Sequence, residues 1–282
     1  MEWKQKKVPP RKELVKTTVV KVVRFMGKWK ELDERLNRYL RLATFPIGVK
    51  LLENEEELKN ISRLKRPDKK IALCQIFSYS RYYGWTMGIT KEDNVCPLAE
   101  IAVGFVEPYD IFLEGYFFVG RYNETLEGAK KTARMIPKMP HGKFSAIVSG
   151  ALRRIEYDPD LIMIYGNTAQ MLRIIQGALW KTGGRITMST FGDAVCADTI
   201  SNAYLTGELQ IAMPCLGDRR FGLAMDSDLV ASIPLEIVDS VIEGLEGTHK
   251  GGSRYPIPYQ ICTPEFFLKM KDQIEAAKRG AK

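Results

Sequence analysis

Histidine is nearly absent from this chain: His141 and His249 are the only two in 282 residues. An H-E-x-x-H zinc site is excluded, and a histidine-based triad has little to draw on. No apolar run approaches the roughly 20 residues that span a bilayer, which argues against a transmembrane segment. Met1-Glu-Trp-Lys-Gln-Lys-Lys carries charge with no apolar stretch behind it, so no secretory signal is expected and the chain reads as cytoplasmic. Cysteine is scarce as well. Five widely spaced residues, an odd number with no C-x-x-C, argue against a disulfide framework and leave buried thiols, metal ligands or a reactive thiol. Neither G-x-G-x-x-G nor a Walker motif occurs, and the Arg/Lys-aromatic motif of an RNA-binding sheet is missing.

What remains has the makings of a folded, soluble chain, with 45% hydrophobic and 27% charged residues. Its length suffices for one large domain or two of about 140 residues, each with a proper core. The net charge of +8 sits largely at the ends, in Lys4 to Lys7, Lys28 to Lys30 and Lys269 to Lys282. Such tails are solvating, and the balance argues against nucleic acid as a partner.

Gly84 to Cys96 recurs as Gly184 to Cys196, with five identities in thirteen gapless positions. Each copy follows a helix-like run, Ile71 to Tyr83 and Ala169 to Lys181, and precedes a second apolar run. A self-match of this kind decides the fold. It predicts an α+β protein with a mixed or antiparallel sheet, built from two duplicated halves around 71–104 and 169–207. Leu32, Leu36 and Leu40 place a helix in the region 11–43, expected to form an N-terminal helical cap of two helices. The expected division is a helical extension over 1–43, the duplicated core over 44–246, and a loop and basic tail over 247–282.

Pro46 to Leu52 and Leu161 to Tyr165 read as strands, with Thr168 as N-cap of the helix that follows the second. Tyr116 to Gly120, Phe144 to Val148, Leu209 to Met213 and Phe221 to Met225 are further strand-like runs. Pro234 to Leu245 reads as a final helix stopped by Gly244 and Gly247, and the loop over Gly247 to Pro258 as a covering or binding loop.

Pro97 suits the first position of a helix, which makes Cys96 its N-cap, and the repeat puts Cys196 at the start of a second helix. A thiol there faces unpaired amide groups that favour the thiolate. Cys215 follows nineteen residues after Cys196, and Cys74 lies one helical run before Cys96. Four thiolates suit an iron–sulfur cluster or tetrahedral zinc, and the spacing does not decide between them. Cys74, inside an apolar helix, also reads as a small buried hydrophobe, as does Cys262. Arg219 and Arg220, just after Cys215, can bind an anion, and Gly166-Asn-Thr168 can hold one at a helix start. Tyr82, Tyr83 and Trp85 line either a pocket or the core.

Three motifs carry a resemblance: Gly184-x-x-Thr-Met-Ser-Thr-x-Gly-x-Ala-Val-Cys196, Met213-Pro-Cys-Leu-Gly-Asp-Arg-Arg220, and Ser232-Ile-Pro-Leu-Glu with Ile242-Glu-Gly-Leu245. Pro46-Ile-Gly-Val-Lys and Asn94-Val-Cys96-Pro fit the opening half of the same pattern. Together they resemble the archaeal conserved region family, the domain of unknown function numbered 169, over about Pro46 to Leu245. The resemblance implies an archaeal or anaerobic setting and includes cysteines at Cys96, Cys196 and Cys215. Such a setting suits an oxygen-sensitive cluster.

The expected function is therefore a cytoplasmic protein of anaerobic-type metabolism holding an iron–sulfur cluster through Cys96, Cys196 and Cys215, with Cys74 as fourth ligand, in a redox or Lewis-acid role. Zinc is the alternative metal. The alternative functions are a metal-free module binding a small anion near Arg219, Arg220 and Thr168, and a thiol-dependent enzyme. A small anionic ligand or a redox partner is expected. The halves can pack within one chain or across a homo-oligomer, and the sequence names no substrate.

Overall fold

A computed structural model describes residues 27–258 and 265–280. The first of the two expected N-terminal helices and Cys262 lie outside the described residues. The strands are β1 (Ile47–Leu52), β2 (Leu64–Lys65), β3 (Thr86–Thr90), β4 (Ala146–Ala151), β5 (Leu161–Gly166), β6 (Gln210–Ala212) and β7 (Leu229–Pro234). They form one sheet in the order β2-β3-β4-β1-β5-β7-β6. The edge pair β2 and β3 is parallel and every other pair antiparallel, so the protein is α+β with a mixed sheet.

Side chains alternate between the two faces of a strand, and here both faces are buried. Leu161, Met163 and Tyr165 of β5 enter one core, and Ile162 and Ile164 the other. That double burial is why the strands read as continuous apolar runs. One face is covered by α2 (Leu73–Ser78), which continues as a π-helix over Tyr79–Tyr83, by α3 (Pro97–Ala102), and by a π segment Ala197–Ser201 leading into α7 (Asn202–Thr206). The aromatic stretch between α4 (Asp110–Leu113) and α5 (Leu126–Met135) joins the same core. The other face is covered by α1 (27–40), α6 (Thr168–Leu179) and α9 (Leu235–Lys250). Trp29, Leu32, Leu36 and Leu40 repeat at helical spacing on α1 and are all buried there, each worth about 1.5–3 kcal/mol.

The glycines expected to stop α9 instead let it run on. A Cβ at Gly244 would lie 2.0 Å from the Gly177 carbonyl oxygen of α6, and one at Gly247 would meet the Trp180 indole at 2.5 Å. The two helices touch backbone to backbone, and burial along α6 outweighs the low helix propensity of glycine. α9 therefore extends to Lys250, and a further helix, α10 (Glu265–Gly280), lies in the stretch expected to be loop and tail.

The predicted strand at Tyr116 to Gly120 is absent. Gly115 and Gly120 are left-handed there (φ 87° and 71°), and Phe118 packs edge to face with Phe112 and Phe117 at 5.4 and 5.1 Å. Phe221 to Met225 is likewise a loop, with Leu223 left-handed (φ 57°), and the strand falls later, at β7. Asn167, and not Thr168, caps α6: its side chain accepts from the N–H groups of Ala169 and Gln170. The two stretches matched in the sequence repeat differ in structure, since Thr86–Thr90 is a strand whereas 186–190 has no regular structure. Among the described residues no helix is long and apolar enough to cross a membrane.

The contact of α6 with α9 gives the first prediction. Gly244→Ala should force the helices apart and lower the unfolding free energy by about 2 kcal/mol. Gly251→Ala, whose Cβ meets nothing closer than 3.5 Å, should stay within about 0.5 kcal/mol of the parent in the same denaturant titration.

Candidate metal centre

Cys74, Cys96, Cys196 and Cys215 line a single cavity of about 310 Å³. They come from four elements. Cys74 is in the first turn of α2, Cys96 caps α3, Cys196 precedes the π segment at Ala197, and Cys215 caps α8 (Leu216–Arg220). Cys196 is buried, while the other three are partly open to solvent. All six pairs of these thiols interact electrostatically.

Local contacts fix the cysteines in place. The buried Asn94 side chain accepts from the Leu73 N–H at 3.1 Å and donates to the Cys96 carbonyl at 2.9 Å, which ties the start of α2 to the start of α3. Asp198 accepts from the Phe191 N–H at 2.8 Å and the Thr190 hydroxyl at 3.1 Å, so the preceding loop is folded back onto the helix that carries Cys196. The Cys74 sulfur lies 3.6 Å from the Gly217 carbonyl, which joins α2 to α8.

Cys96 is the helix N-cap expected from Pro97, in extended conformation. Cys196 is not: its backbone is already helical (φ −64°, ψ −35°). The expectation of stabilised thiolates at helix ends is also corrected. Burial pushes the Cys96 thiol up, and the amide groups of Ala99 and Leu98 offset only part of the rise. Cys215 is raised by burial too, against the amides of Val195 and Asp218. Burial raises Cys74 and Cys196 further, helped by the charges of the neighbouring thiols. Desolvation outweighs a short helix end, so the thiols are protonated at neutral pH unless a cation takes the place of their protons.

Arg121 and Arg220 line the same cavity, with Tyr122 and Phe221 at its exposed rim. Arg219 does not share the cavity: it donates to the Met225 carbonyl at 2.7 Å and lies 3.5 Å from Asp226. Thr168 is away from both arginines, at the start of α6 on the other face of the sheet. His141 pairs with Glu107 and His249 packs on Tyr39, so neither lines the cavity. Tyr79, Tyr83 and Trp85 stack on one another at 5.2–6.1 Å. Among the described residues no group of three or more His, Cys, Asp or Glu side chains is disposed to hold a metal ion.

Behind Cys74 lies a polar cluster that the sequence did not announce. Asp218 is fully buried, and its carboxylate has no well-formed hydrogen bond, the Tyr165 hydroxyl acting on it as a weak donor. Burial pushes its pKa up to about 6, while Arg81 and the Tyr165 hydroxyl pull the other way. Asn94 and Asp218 lie within motifs read in the sequence but with no role assigned to them, and Arg121, an isolated polar residue in a mixed stretch, belongs to no motif.

Fold and cavity together define an α+β protein with four cysteines gathered on one face of a mixed sheet. Residues 35–244 match DUF169, described as an uncharacterised ArCR, and the chain belongs to that family. An uncharacterized protein of Methanocaldococcus jannaschii is 26% identical over 223 residues, 77% of this chain and 94% of that protein. No solved structure matches the chain.

The raised Asp218 carboxyl makes a pH-dependent prediction. A carboxyl whose pKa is higher in the folded state contributes stability that is complete below pH 4 and lost as pH rises through about 6. In metal-free protein, Asp218→Asn should therefore gain on the parent by on the order of 2 kcal/mol at pH 8 and show no gain near pH 4. Denaturant titrations at the two pH values check this, and a pH-independent difference would contradict the burial of an ionised carboxylate.

Proposed function

We propose that the chain binds one iron–sulfur cluster through Cys74, Cys96, Cys196 and Cys215. The observation that carries the reading is the single cavity shared by thiols from four separate elements. The sulfurs of one tetrahedral zinc ion lie roughly 4 Å apart, which follows from Zn–S bonds of about 2.3 Å. A cluster spreads its thiolates over several irons, so it takes sulfurs set wider apart than that. A cavity of 310 Å³ is also far larger than one ion needs, a water molecule taking about 30 Å³. Zinc is therefore the poorer fit.

The two sides of the sheet support the reading. From the β1–β5 junction outward the order is β1-β4-β3 on one side, with the short β2 added at its edge, and β5-β7-β6 on the other, so apart from β2 the first, last and middle strands match. A π segment ending at or leading to a left-handed glycine precedes the outer strand in each case: Tyr79–Tyr83 with Gly84 before β3, and Ala197–Ser201 with α7 and Gly207 before β6. Such segments are rare and gather at functional sites. A cysteine-capped helix then follows each outer strand. We infer a duplication in which Cys74 corresponds to Cys196 and Cys96 to Cys215. This register differs from the Cys96 to Cys196 match read in the sequence.

With four protein thiolates no iron is left open, which favours electron transfer over Lewis-acid chemistry. When bound, the cluster would supply single-electron chemistry. The chain's own contribution is to hold the sulfurs, to direct the amides of Leu98, Ala99, Val195 and Asp218 at them, and to balance the negative charge with Arg121 and Arg220. The metal-free alternative at Arg219, Arg220 and Thr168 is less well served, because those three residues share no cavity. A thiol-dependent enzyme would need a base near one sulfur, and the cavity lining holds no histidine.

Purified without oxygen, the protein should show broad visible absorption with iron and acid-labile sulfide in cluster stoichiometry. Serine at Cys74, Cys96, Cys196 or Cys215 should each reduce iron content by about tenfold, whereas Cys262→Ser should leave it unchanged. A colourless parent, or an unchanged spectrum in Cys215→Ser, would sink the assignment.

A further inference from the structure

A second cavity, of about 270 Å³, lies beyond Arg81 and Tyr165 and shares no lining residue with the thiol cavity. We propose that it binds a small organic carboxylate, gripped by Arg41 and Arg81 and held against tyrosine rings. This goes beyond the cluster reading and does not depend on it.

Arg81 is only 2% exposed, and its guanidinium stacks on the Tyr165 ring at 3.7 Å. One Nη donates to the Gly222 carbonyl at 2.7 Å, and the buried Nε has no partner. The Tyr165 hydroxyl is also buried, beside the Asp218 carboxylate and without a well-formed hydrogen bond. The Asp218 carboxylate acts on Arg81 electrostatically but makes no hydrogen bond to it. A buried donor left unmatched is costly, so a cationic, under-bonded group beside a cavity points to an anionic acceptor.

Arg41 supplies the second charge from an unusual position. It is left-handed (φ 48°) at the end of α1, a place that ordinarily selects glycine or asparagine. Its backbone is tied down, since Gln170 of α6 donates to the carbonyls of Leu40 and Arg41. A long side chain kept where the backbone favours none is explained by use of the guanidinium in the cavity. The end of α6 adds no comparable pull, because Asn167 already takes the N–H groups of Ala169 and Gln170.

The class of ligand follows from the walls. Planar guanidinium groups match the geometry of a carboxylate, and Tyr82, Tyr165 and Tyr255 offer flat apolar surface for an organic body. Tyr255 closes one side through a hydrogen bond from the Asn167 side chain at 2.9 Å. Asp228, the acid in the lining, is engaged by the Met225 N–H at 2.9 Å.

Calorimetric titration of the full-length chain with benzoate, with inorganic phosphate as comparison at equal ionic strength, tests the assignment. Benzoate should bind, and more tightly than phosphate. Arg41→Asn, which suits the left-handed backbone, should fold at least as stably as the parent yet bind benzoate about tenfold more weakly. Arg81→Gln should weaken binding too, and Cys215→Ser, which disrupts the thiol site, should bind as the parent does. No benzoate binding, parental affinity in Arg41→Asn, or loss of binding in Cys215→Ser would each overturn the proposal. The Cys215→Ser arm separates this site from the cluster, because loss of iron there should leave carboxylate binding intact.

Discussion

A sheet buried on both faces constrains everything else in this protein. Apolar residues of the central strands enter one or other of two cores, so helices have to cover each side. On the side carrying α2, α3, α7 and α8 those four helices are short, of five or six residues, and two of them adjoin π segments. Short helices bring many chain ends to one place. Four of those ends carry cysteine, and the thiol cavity is where they meet.

Burial sets the chemistry of that place. It raises all four thiols, and neighbouring thiol charges add to the effect at Cys74, Cys196 and Cys215. A buried set of protonated thiols is a weak nucleophile, and a metal binding to such a set has to displace the protons. The same burial leaves Asp218, Arg81 and Tyr165 with unmatched polar atoms between the two cavities. Their cost to the fold is intelligible if both cavities are meant to hold something, as strain and unmatched groups gather at functional sites.

Periodicity and local residue chemistry made much of the fold legible. The leucines of α1, the apolar runs of β1 and β5 and the proline after Cys96 each led to the element observed. Non-local contacts hid the rest. Gly244 and Gly247 read as stops, yet they are what allows α9 to lie on α6. The aromatic run at Tyr116 to Gly120 has the composition of a strand, but its rings find one another first. The four cysteines that line the cavity were legible in the sequence. Five identities in thirteen matched Cys96 to Cys196, whereas the proposed pairing of Cys74 with Cys196 rests on π segments and capped helices, which residue identity does not show. Arg81 and Arg41 gave no signal at all, since a buried cation and a left-handed arginine are visible only in three dimensions.

The central claim is that four thiols from four elements act as one site. Thiol footprinting tests it directly: anaerobically prepared protein and its chelator-stripped form are alkylated, and each cysteine is scored by mass spectrometry. Cys74, Cys96, Cys196 and Cys215 should be protected together and become reactive together when the metal is removed. Independent alkylation of any one of them, with the other three still protected, would contradict a shared site.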